Sequence, residues 1–299
     1  MSTVVARREE LRTARTPFVS ATVVRAERPT SATAGDAAIV LGDGSIEGFV
    51  GGDCAESSVR THALAVLDAH EPLLLRILPE VGGDDAGQPG ALTVRNPCLS
   101  GGSLEIFLEP WIPPALLVVQ GDSPVARSLR EVGAAAGFAV EAAGCHLPAD
   151  ATAVVAASHG RADEGGLLVD AVRSGVPYVA LVASHRRGSG VLDGLDLTAD
   201  ERASVRTPAG LDIGARTAGE IAVSILAELV SLRPRVVVSP SAVALPADAD
   251  GTATDPVCGM PVATVEASLH LDLDGGRTWF CGPGCREAFA ADPGAYAAS

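Results

Sequence analysis

The sequence predicts an α/β protein: an N-terminal α+β domain, a doubly wound parallel sheet, and a small metal-binding module at the C-terminus. Three observations lead there. Between residues 115 and 235, short apolar runs alternate with helical patterns, and that alternation with short loops implies a parallel sheet covered on both faces. Upstream, strands and turns surround a single helical pattern. Downstream, three of the six cysteines (258, 281 and 285) crowd a stretch too short to build a sufficient core of its own.

The first domain is expected over 1–113. Residues 18–24 are apolar and β-branched and 37–41 repeat the pattern, followed by the turn Gly42-Asp43-Gly44. Residues 57–70 place Val59, Ala63, Val66 and Leu67 at helical spacing. Two more strands are expected at 73–78 and 104–108, with the Gly- and Asp-rich stretch 82–90 as a loop between them. The second domain, 114–235, opens with a buried-type strand at 116–120 and a helix at 125–137. Further strands are expected at 139–142, 153–157, 178–182 and 204–206, with helices at 163–173 and 217–232. The last helix carries a capping box, Thr217 with Glu220, before Ile221, Ile225, Leu226 and Leu229 on one face. Residues 236–254, rich in Pro, Ala and Asp, read as a linker, and 255–299 as the metal-binding module.

Composition removes several functions. A net charge of −15 opposes binding to nucleic acid or to an anionic membrane surface, since both require clustered Lys and Arg. No apolar run reaches the length of a membrane span, and the polar start lacks the apolar stretch of a secretory signal, so a cytoplasmic protein is expected. Six cysteines are too few for a disulfide scaffold in 299 residues.

The sharpest chemical signal is at the tail. Asp255-Pro256-Val257-Cys258-Gly259-Met260 precedes Trp279-Phe280-Cys281-Gly282-Pro283-Gly284-Cys285. Thiolates from a turn and from a helix start suit a soft or borderline ion such as Cu(I) or Zn(II). Cys281 and Cys285, four apart, are expected to share one face at a helix N-terminus. The alternative is three buried structural cysteines.

In the first domain, Gly51-Gly52-Asp53-Cys54-Ala55-Glu56 leads into a helix, and Cys98-Leu99-Ser100-Gly101-Gly102 leads into a strand. Glycines before a helix let backbone N–H groups approach an anionic group, and a cysteine there has a depressed pKa. Cys54 and Cys98 then read as nucleophile, sulfur carrier or soft-metal ligand, or else as loop cysteines beside turn glycines. In the second domain, His159 follows a strand at the sheet edge where such folds bind ligands, although a solvated loop histidine fits equally. Arg186 and Arg187 read as a phosphate clamp or as a surface pair.

The tail, continuing through Phe289 and Pro293-Gly294-Ala295-Tyr296, resembles the YHS domain, which implies metal binding. The Gly-Gly-x-Cys-Ala-Glu and Cys-x-Ser-Gly-Gly elements resemble the XdhC/CoxI family. So do 154–160, 178–187, and Arg206-Thr207-Pro208-Ala209-Gly210-Leu211-Asp212-Ile213-Gly214-Ala215. That resemblance covers residues 16–233 and implies a Rossmann-like second domain. It also implies a non-catalytic maturation factor that binds the molybdenum cofactor, protects it during sulfuration and passes it to the apoenzyme of a molybdenum hydroxylase, such as xanthine or carbon monoxide dehydrogenase. The site it implies comprises Gly51, Gly52, Cys54, Glu56, Cys98, Gly101, Gly102, His159 and Arg186, with Cys258, Cys281 and Cys285 on the metal. A cysteine desulfurase as second partner and a homo-oligomeric state are also expected. An NAD(P)-dependent oxidoreductase is the alternative. Against it, Ser123 replaces the middle glycine of the turn Gly121-Asp122-Ser123, and the strand at 139–143 ends without a ribose-binding acid. A metal sensor acting through the tail is the other alternative.

Overall fold

The computed structural model describes residues 2–80, 91–96, 102–158, 164–232, 251–273 and 276–296. They divide into two compact units, residues 1–113 with 236–299, and residues 114–235. The linker expected at 236–254 lies outside the described residues up to 250.

The first unit begins with α1 (Ser2–Thr13), a polar helix that no periodicity announces. Its Leu11 is buried against Phe18 and Ile39, so tertiary packing, not propensity, fixes it. A six-stranded mixed sheet follows. It contains β1 (Phe18–Glu27), β2 (Ala37–Leu41), β3 (Ile46–Gly48), β4 (Leu73–Leu78), β5 (Ala91–Arg95) and β6 (Ser103–Trp111). Their order is β3-β2-β1-β6-β4-β5, antiparallel except for the parallel pair β4 and β5. Across the sheet lies α2 (Asp53–Ala69), with Val59, Ala63 and Val66 fully buried. It starts four residues before the periodicity does, because Gly52 is its N-cap and the first turn is polar.

The C-terminal residues belong to this same unit. They form two hairpins, β12 (Thr252–Thr254) with β13 (Pro261–Ala263), and β14 (Leu269–Leu273) with β15 (Gly276–Phe280). The helix α8 (Pro283–Ala291) closes the module with a 3-10 turn at Pro293–Tyr296. Phe280 and Phe289 lie 5.3 Å apart and Phe289 and Tyr296 6.2 Å apart, a miniature aromatic core. The module docks on α2: the backbone N–H of Ala263 donates to Thr61 Oγ1 at 3.0 Å, both groups being buried.

The second unit holds a parallel sheet of β7 (Leu116–Gln120), β8 (Ala139–Ala142), β9 (Ala151–Ala156), β10 (Tyr178–Leu181) and β11 (Val205–Arg206). Its order is β11-β10-β9-β7-β8. The helices are α3 (Pro124–Ala135), α4 (Glu164–Arg173), α5 (His185–Asp193), α6 (Ala199–Ser204) and α7 (Ala218–Ser231). Two separate apolar clusters flank the sheet, one containing α3 and α7 residues and the other α4 and α5 residues, so helices cover both faces. The capping box of α7 is present, with Thr217 Oγ1 accepting from Glu220 N at 3.2 Å and Glu220 from Thr217 N at 3.0 Å. Thr217→Ala should lower the unfolding stability of this unit by about 1 kcal/mol in a denaturant titration. An unchanged midpoint would mean the cap is idle.

Candidate functional site

Asp255 organises the three-cysteine end of the candidate site. Its fully buried carboxylate accepts from Val257 N (2.9 Å) and Cys258 N (3.4 Å) through Oδ1, and from Cys281 N (2.8 Å) through Oδ2. One side chain therefore fixes two cysteine loops from opposite ends of the module. The turn after it closes with Gly259 N donating to Asp255 O at 2.8 Å, and Gly259 takes φ +76°. The thiols of Cys258 and Cys281 come to 3.5 Å, and those of Cys281 and Cys285 to 3.7 Å. Together with an Asp255 oxygen, all three sulfurs lie within 4.8 Å of one another. Cys285 sits in the first turn of α8, but Cys281 precedes the N-cap Gly282, so the two reach one centre from a strand end and a helix rather than from one helical face.

The electrostatics suit a cation. The hydrogen bond from Cys281 lowers the pKa of Cys258. Cys281 is pushed up, first by its hydrogen bond with Cys258 and then by one with Cys54. Burial, above all, pushes Cys285 up to about 12. Crowded thiols resist ionising together until a cation offsets their charge.

Cys54 brings in the other half of the predicted site. It lies in the first turn of α2, and its side chain packs against the cluster of Met260, Val262 and Cys281. A cavity of about 460 Å³ is lined from one side by Gly52, Cys54 and Gly102, and from the other by Cys258, Cys281 and Cys285. Two helices, α2 and α8, open onto it with glycine N-caps and no side-chain cap, so the positive ends of two helix dipoles border the cavity. Gly102 has a local reason: a Cβ there would sit 2.1 Å from Pro29 O, which keeps the 28–31 loop against it. Gly51 is buried at φ +137° and shapes the approach to the helix, while Glu56 is half-buried, its pKa raised mainly by that burial. Neither lines the cavity. Cys98, Gly101 and His159 lie outside the described residues. Arg186 is exposed on α5 of the second unit.

Sequence reasoning missed Asp255, Met260, Asn96, Thr30 and Ser31, all of them buried at the centre or lining the cavity. Only Asp255 carried a signal, an Asx residue just ahead of a Cys-Gly turn. The phosphate-clamp reading of Arg187 is corrected. Its guanidinium pairs with Glu164, which is 2% exposed and also accepts from Ser158 Oγ at 3.1 Å, so the arginine is committed within the protein. The dinucleotide-type turn is likewise occupied by the chain itself. Ser123 Oγ accepts from Ala126 N at 3.1 Å, and Gly121 (φ +98°) lies so close to β9 that a Cβ would come 2.7 Å from Ser158 Cα.

Comparison with known proteins places the chain. Residues 11–77 match the model of the XdhC and CoxI family, and residues 117–229 match the XdhC Rossmann domain. The chain belongs to the XdhC and CoxI family. Among its relatives is an uncharacterized protein of Escherichia coli K12, YqeB, 26% identical over 246 residues. That match takes in 73% of this chain and 44% of YqeB, so the XdhC/CoxI chain spans less than half the length of that relative. A solved structure described as a xanthine dehydrogenase from Bacillus halodurans aligns with 80% of this chain and 98% of its own, at 16% identity and a TM-score of 0.37. No described helix is long and apolar enough to cross a membrane.

Proposed function

We propose that this XdhC/CoxI chain is a maturation factor for a molybdenum hydroxylase, binding the molybdenum cofactor in the cavity at the start of α2 and delivering it to the apoenzyme. The observation that carries this reading is the meeting of Gly52, Cys54 and Gly102 with three further thiols around one cavity. The donor set fits both ends of such a ligand. The N-terminal ends of α2 and α8 would attract a phosphate, and the cysteines would face a soft dithiolene. When bound, the cofactor supplies the oxo-transfer centre of the recipient enzyme; here the chain shields it and holds it in one orientation. Ile77 and Leu104 give the same space an apolar wall. A cysteine desulfurase would serve as the sulfur source. The three C-terminal cysteines would hold Cu(I) or Zn(II), consistent with their spacing and crowding.

Protein purified from a host that makes the cofactor should carry pterin in stoichiometric amount, read as its fluorescent oxidation product. The Cys54→Ala/Cys98→Ala double variant should carry little. Absence of pterin from both would refute the carrier role.

A further inference from the structure

We propose that Cys54 supplies the fourth thiolate of the metal centre, so that a single thiophilic ion ties the start of α2 to the C-terminal module. This rests on reading Cys258, Cys281 and Cys285 as metal ligands, and it adds a residue that lies over 200 positions away in the chain.

Three thiols leave a tetrahedral ion one ligand short. Asp255 reaches the cluster, but both its oxygens already accept backbone N–H groups, and a hard carboxylate is the poorer donor for a soft ion. No imidazole lines the cavity among the described residues. Cys54 does line it, and its side chain packs against the apolar cluster that contains Cys281. Gly282 lies beside Cys54: a Cβ there would stand 3.4 Å from Cys54 Sγ, in ordinary van der Waals contact, so a branched side chain reaching beyond it would press between α2 and the module. Cys54 also lies in the first turn of a 17-residue helix, whose dipole favours a thiolate at that end. Four sulfurs of this kind select a d10 ion, Zn(II) or Cu(I), over oxygen-seeking cations.

The test uses the full-length apoprotein without pterin. Zn(II) and, separately, Cu(I) are titrated from competing chromophoric chelators into wild type, Cys54→Ser, Cys258→Ser, Cys285→Ser and Cys145→Ser. Wild type should take one ion per chain. Cys54→Ser should bind it roughly tenfold or more weakly, as the other two ligand variants do, and X-ray absorption should count one sulfur fewer. Cys145→Ser, altered at an exposed cysteine of the second unit, should match wild type. If Cys54→Ser lowers helicity, Gly282→Val becomes the deciding variant. It keeps every thiol while wedging a branched side chain beside Cys54, and the same loss is expected. Wild-type affinity and sulfur count in Cys54→Ser, with Cys258→Ser and Cys285→Ser weakened, would overturn the shared centre and leave a three-cysteine site. No ion bound by wild type would overturn both the shared centre and the metal reading beneath it.

Discussion

Asp255→Ala should weaken metal binding by roughly 10- to 100-fold, although the residue need not touch the ion. Its carboxylate holds the N–H groups of Val257, Cys258 and Cys281 inside the protein. Removing it strands the buried Cys281 N–H and releases both cysteine loops from a common anchor. The stability of the module should fall by about 3–5 kcal/mol, the combined loss of several charge-assisted hydrogen bonds and of partners for buried donors. Asp255→Asn separates the two roles. It keeps an acceptor for Val257 and Cys258 but turns an NH2 toward Cys281 N–H, so an intermediate loss is expected. A chelator competition showing wild-type affinity in Asp255→Ala would remove Asp255 from any part in shaping the site.

The second large effect is a loss of stability in mild acid. His62 lies on the buried face of α2, 3% exposed, with Nδ1 lacking a hydrogen-bond partner, and burial pushes its pKa down to about 4. The unfolded chain protonates this imidazole near its ordinary value of about 6.5, whereas the folded chain keeps it neutral. Stability from this group is therefore complete above the unfolded value and is lost as pH falls toward the folded one. The loss amounts to about 2 kcal/mol at around pH 5 and about 3 kcal/mol once both limits are passed. His62→Leu fills similar space without a titrating group and should flatten the dependence over that interval. Urea midpoints measured at about pH 7 and about pH 5 decide it. An equally steep decline in the variant would assign the acid sensitivity elsewhere.

Much of this architecture was legible because one-dimensional patterns report one-dimensional causes. The strands β2, β4 and β7 fall where apolar runs predict them, since each buries side chains of its own, and β8 follows with its first two residues half-buried. The capping box before α7 was readable because both partners lie within one turn. The helices α5 and α6 were not readable. They are short and largely polar, and they depend on the Ser184 and Thr198 caps and on burial of Leu192 against elements far along the chain. The same limit applies to the site. The two cysteine groups were visible separately, but nothing local states that Thr61 will receive the N–H of Ala263, or that Cys54 will pack on the cluster that holds Cys281. Those are facts of tertiary packing, and residues 54 and 281 carry no mark of one another.

The hydrogen bond between Thr61 and Ala263 joins positions 202 residues apart, and the walls of the cavity are drawn from both ends of that interval. In synthesis, the residues of the sheet and of α2 are made long before Cys281 and Cys285, so one wall of the cavity exists in the chain before the other. A chain that stops short of Cys281 would carry the wall of Gly52, Cys54 and Gly102 without the thiols that face it.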